Sequence, residues 1–146
     1  STLRYGFQNN NLNAGSKIDG SYLFLNFSDV VEYLPRALQI GFFAPFPTNW
    51  YDNGVQVGRI GNILAGIEMF IWYLILLGCI FTVLRQPYTT LPLLPIIFVS
   101  IIIITLMTYA IPNIGAIYRM RQPYMIPFYI FGVYGLNLIY NIIKNR

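Results

Sequence analysis

Between residues 86 and 118 the chain runs thirty-three positions without one charged side chain, and four consecutive isoleucines, Ile101 to Ile104, lie near the middle of that run. A helix rises about 1.5 Å per residue, so the roughly 20 residues of 91–111 match a hydrocarbon core about 30 Å thick. The stretch predicts a transmembrane helix. Comparable apolar segments at 62–84 and 123–143 lie on either side of it, joined by short turns. The expected fold is therefore an all-α membrane protein whose three transmembrane helices occupy residues 62–146.

Composition agrees. Charged residues make up 10% of the chain and hydrophobic ones 56%, against roughly 25% charged in a soluble domain. The net charge of +4 rests mostly on arginines set near span ends, which suits anionic headgroups. No dense basic run is present, which argues against nucleic acid as a partner. Cys79 is the one cysteine and lies inside the first span, so no internal disulfide can form. The absence of histidine removes the usual haem ligand, the commonest transition-metal ligand and the best proton carrier near neutral pH. No cofactor or metal held by the chain's own side chains is expected. Residues 1–13 lack the apolar core and cleavage site of a secretory signal.

Residues 1–61 read as a polar N-terminal region. The Asn- and Gly-rich stretch 1–26 predicts loop with short extended pieces. Asn26-Phe27-Ser28 matches a glycosylation acceptor, a weak pattern. From 29 to about 40, Val30, Val31, Leu34, Ala37, Leu38 and Gly41 share one helical face, while Glu32, Arg36 and Gln39 share the other. This predicts an amphipathic helix lying in the headgroup plane, capped by Ser28 or Asp29, with Pro35 as its weak point. Residues 41–51 follow as an aromatic loop pinned by Pro45 and Pro47. Its Phe42, Phe43, Phe46, Trp50 and Tyr51 are expected to anchor at the membrane interface.

Within the first span, Gly61, Ala65 and Gly66 offer a small surface for close helix packing. Glu68 is the one acid inside a span. An unpaired carboxylate there costs a few kcal/mol, so it should be protonated or paired. Alternating spans place it in the same leaflet as Arg59, Arg119 and Arg121, with Arg85, Lys144 and Arg146 on the other side. An intramembrane ion pair of Glu68 with Arg119 or Arg121 follows as an expectation, either locking helix packing or leaving the arginines to grip a phosphate. Trp72 and Tyr73 lie near mid-span, too deep for an interfacial belt, and a buried Trp needs a partner for its N–H. Counting Arg4, Lys17 and Arg36 tilts the positive charge toward a cytoplasmic N-terminus. No Ser-His-Asp set, metal cluster or phosphate-binding glycine loop appears, so no catalytic residue is assigned.

Three pieces carry a resemblance: Asp29-Val30-Val31-Glu32-Tyr33-Leu34-Pro35-Arg36-Ala37-Leu38 running into Ala44-Pro45-Phe46-Pro47, then Gly66-Ile67-Glu68-Met69, then Asn113-Ile114-Gly115-Ala116-Ile117-Tyr118-Arg119-Met120-Arg121. Together they resemble the C-terminal membrane portion of larger bacterial membrane proteins of the cell-envelope glycan type. The resemblance implies handling of lipid-linked sugars in a bacterial inner membrane, with Arg36, Glu68, Arg119 and Arg121 as the positions concerned.

Two readings of function result. In the first, the chain is a non-catalytic integral membrane subunit of a larger respiratory, photosynthetic or transport complex, with other membrane subunits and lipids as its partners. In the second, it is a module or remnant of an envelope-glycan enzyme acting on a polyprenyl-phosphate substrate. Three short-looped spans leave little room for an enclosed site, which favours the first.

Overall fold

The computed structural model describes residues 4–7, 16–51 and 58–145. Residues 1–3, 8–15 and 52–57 and Arg146 lie outside the described residues, and with them much of the stretch expected as loop at 1–26. Among the described residues, besides a helical turn at 4–7, six α-helices follow: α1 (Phe27–Phe43), α2 (Gly58–Arg85), α3 (Pro87–Thr90), α4 (Leu94–Ala110), α5 (Ile114–Met120) and α6 (Gln122–Lys144). Single 3-10 turns follow α1 at Pro47–Asn49 and precede α4 at Leu91–Leu93.

Among the described residues three stretches are long and apolar enough to cross a membrane: Gly58–Arg85, Leu91–Ala110 and Gln122–Lys144. The protein is an all-α integral membrane protein with three spans. At 28, 20 and 23 residues they measure about 42, 30 and 35 Å. Pro92 and Pro95 fall in the first turns of the middle span, where missing amide donors cost least.

The first and third spans run parallel and pack together along most of their length. Trp72 meets Phe128 and Tyr129, Ile75 meets Gly132, and Gly78 lies between Gly132 and Gly135. A Cβ at Gly78 would overlap the Gly132 carbonyl oxygen, and one at Gly135 would overlap the Gly78 carbonyl oxygen. Without side chains the two backbones come into direct contact. The Thr82 hydroxyl, between its own Gly78 carbonyl (3.0 Å) and the Phe131 carbonyl across the interface (2.8 Å), completes the seam.

α1 is longer than its periodicity predicts and begins two residues earlier. The Asp29 carboxylate accepts the backbone N–H groups of Leu25 (2.8 Å) and Asn26 (3.0 Å), so the helix start is closed from its third position rather than by Ser28. Those two amides hold the carboxyl below the usual carboxylate range. Pro35 is exposed within the helix, which continues through it. The helix lies across α4, and Gly41 makes this fit: a Cβ there would be 2.9 Å from Ile104 Cγ2. Its last residues push into the bundle, where Phe42 packs edge-on against Phe128 at 5.6 Å.

The described part of the N-terminal stretch is loop with one short extended piece, as expected, and adds a helical turn. A helical turn at 4–7 and an isolated antiparallel bridge between Lys17 and Asn113 fasten it to the other segments. Ile18 N–H donates to the Pro112 carbonyl and Ile114 N–H to the Ser16 carbonyl.

Candidate functional site

The last four carbonyls of any α-helix lack partners within the helix, and burying them bare is costly. In α1 all four are served. Ile40 O accepts from Ala44 N–H (3.2 Å), Gly41 O from Arg121 Nη1 (2.5 Å), Phe42 O from Trp72 Nε1 (2.8 Å) and Phe43 O from Tyr73 Oη (2.9 Å). Trp72 thereby finds the partner its depth demands. The negative end of a helix favours a cation, and Arg121 supplies one that is 1% exposed. Burial pushes its guanidinium down to about 10, still charged at neutral pH. Its Nη2 donates to Met69 Sδ (2.9 Å), and the group stands 5.4 Å from the Tyr118 ring centroid.

A second buried arginine repeats the arrangement. Arg4, 2% exposed, donates from Nη1 to the carbonyls of Thr108 (3.1 Å) and Tyr109 (3.4 Å) at the end of α4, and from Nη2 to the Asp19 carbonyl (2.6 Å). Its guanidinium lies over Phe24 and Tyr33, 5.4 and 5.3 Å from their centroids.

Beside it lies a cleft lined by Asp19, Ser21, Tyr22, Glu32, Tyr33 and Arg36. Asp19 adopts a left-handed backbone (φ 47°) and accepts from Arg36 Nε (2.9 Å) and Tyr33 Oη (3.1 Å). Burial raises its carboxyl pKa, but Arg36 and Tyr33 outweigh burial and hold it below the ordinary value of 3.8. A carboxylate depressed in the folded state adds stability above its unfolded pKa, lost as pH falls through the folded one. Acidification below about pH 4 is expected to speed hydrogen exchange at the Ile18 and Tyr22 amides while the spans stay protected. Asp19→Asn should abolish that pH step, and an unchanged step would exclude this link.

The predicted ion pair does not form. Among the described residues the one ion pair is Arg36 with Asp19. Glu68 is exposed on α2, Arg119 is exposed and turns its Nε to the Gly115 carbonyl (3.1 Å), and Arg121 is spent on α1. The physical reason is that helix-end carbonyls replace the carboxylate as counter-group. The predicted small-residue face also differs. Gly61 and Ala65 are only half-buried, and Gly66 receives the Trp50 ring, whose Cδ2 would lie 2.8 Å from an added Cβ. Helix contact falls instead on Gly78, Gly132 and Gly135, a set the sequence reading missed although the Gly132/Gly135 spacing was visible.

Of the expected interfacial anchors, Phe42 is corrected to a core residue, 7% exposed. Phe43 and Tyr51 are exposed, while Phe46 and Trp50 are half-buried. Phe46 lies under Arg36 (5.8 Å), and Trp50 Nε1 donates to the Pro45 carbonyl (3.0 Å). Arg4 was not foreseen, since its partners are backbone carbonyls, two of them more than a hundred residues away. Among the described residues no group of three or more His, Cys, Asp or Glu side chains could hold a metal ion.

No protein-family model, curated protein or solved structure matches this chain.

Proposed function

We propose that the chain is a non-catalytic, membrane-embedded packing unit whose outward α2 face meets a further transmembrane helix of a larger membrane assembly. The carrying observation is Glu68, which is exposed among Leu64, Ile67, Phe70 and Ile71, themselves 49–57% exposed. No arginine of the described chain pairs with it. A carboxyl on an apolar helix face costs a few kcal/mol in lipid unless another group answers it. A basic or amide side chain on a neighbouring helix would do so.

The polyprenyl-phosphate alternative loses support from the same geometry. Arg36 is already held by Asp19 in a cleft that also carries Glu32, so a phosphate would meet two carboxylates and one guanidinium. Arg121 is enclosed and committed to α1. The resemblance of the α1 segment and the arginine-bearing connection to envelope proteins supports a bacterial inner membrane as the setting of the proposed assembly.

The test is tagged purification from native membranes in mild detergent. The wild-type chain should recover a membrane partner at fixed stoichiometry, and Glu68→Gln should shed it while changing the chain's own stability by no more than about 0.5 kcal/mol. Recovery of the wild-type chain alone, with lipid and detergent only, would overturn the proposal.

A further inference from the structure

Past the glycine seam the parallel α2 and α6 leave a wedge between their C-terminal ends. This cleft, of about 490 Å³, is lined by Phe81, Leu138 and Ile142 on its apolar side and by Arg85, Gln86, Asn141 and Asn145 at its rim. It lies at the C-terminal ends of the first and third spans. The Arg85 guanidinium is held 5.8 Å from the Phe81 ring centroid, at the junction of the two surfaces.

The charge around this cleft is one-sided. Glu68 is the last acidic side chain in the sequence, so residues 69–146 contain none. Glu68 lies seventeen positions before Arg85 on the same helix, or about 25 Å away. Lys144, at the end of α6, adds a second cation to this end of the pair. A guanidinium at a membrane boundary, with amide groups beside it and an apolar slot beneath, matches a phosphodiester with an acyl chain below it.

We infer that this cleft binds an anionic phospholipid, its phosphate on Arg85 and one acyl chain along Phe81, Leu138 and Ile142. The lipid supplies the negative charge that the chain itself lacks on this side. It also fills the wedge, so the α2 and α6 ends are bridged rather than left splayed.

Native mass spectrometry of the purified chain in detergent, titrated with palmitoyl-oleoyl phosphatidylglycerol or phosphatidylcholine, tests this. Wild type should retain one phosphatidylglycerol about tenfold more tightly than phosphatidylcholine, a difference of about 1.4 kcal/mol. Arg85→Gln should erase that preference, whereas Arg59→Gln, at the other end of α2, should keep it. Leu138→Trp, which fills the slot, should lose the adduct with Arg85 intact. Circular dichroism of each variant verifies that the helices remain. Equal retention of the two lipids by wild type, or a preference that survives Arg85→Gln, overturns the inference. Displacement of the lipid by excess inorganic phosphate does so too, since the site would then be for the free anion.

Discussion

Gly135→Ala is expected to destabilise the protein by about 3 kcal/mol or more, beyond the usual range for adding a single methyl group to a packed interior. The new Cβ would overlap the Gly78 carbonyl oxygen and crowd the Thr82 hydroxyl. Backbone cannot rotate away as a flexible side chain can, so α2 and α6 must separate along the seam. Gly78→Ala should act similarly, because its Cβ would overlap the Gly132 carbonyl oxygen. The double variant should cost less than the sum of the singles, since the first already opens the shared contact. Gly6→Ala is the control: nothing lies within 4 Å of a Cβ there, and its effect should stay within about 0.5 kcal/mol. Unfolding in detergent followed by tryptophan fluorescence reads these differences. A Gly135→Ala protein as stable as wild type would refute the direct backbone contact.

Trp72→Ala should cost about 3–5 kcal/mol, the range for emptying a large buried aromatic site. The indole is fully buried, packs on Phe128 and Tyr129, and donates to the Phe42 carbonyl. Trp72→Phe isolates the polar part. It keeps an aromatic ring but leaves a buried carbonyl without its donor, for about 1–3 kcal/mol. The loss should be local, with α1 leaving its seat while the spans persist. A cysteine placed at the buried Ala37, in a Cys79→Ser background, should then react with a maleimide faster in the Trp72→Phe protein. Unchanged labelling would show that α1 does not depend on this bond.

The spans were legible because hydrocarbon demands length and uniform apolarity, and both are local properties of a sequence. The amphipathic face of α1 was legible too, although the reading laid the helix flat where its tip enters the bundle. Phe42 and Phe43 show why. Adjacent phenylalanines look alike in sequence, yet one packs on Phe128 and the other is exposed. Glycine was misassigned for a related reason. Gly61, Ala65 and Gly66 have the spacing of a contact face, but which face meets a neighbour is set by the other helix, and Gly132 with Gly135 selects Gly78. The arginines were read by looking for carboxylates. Both buried ones instead answer helix-end carbonyls, which every helix has and no composition reveals.

The seat of α1 also dictates a chronology. Its tip is held by Trp72 and Tyr73 from the span that follows, and by Arg121, eighty residues downstream of Gly41. A chain synthesised from its N-terminus therefore makes α1 before any of the three donors exists. α1 therefore completes its seat only after the turn into the third span has arrived. Trp72 and Tyr73 can answer the Phe42 and Phe43 carbonyls once the first span is made, whereas the Gly41 carbonyl stays with water or bare until Arg121 arrives.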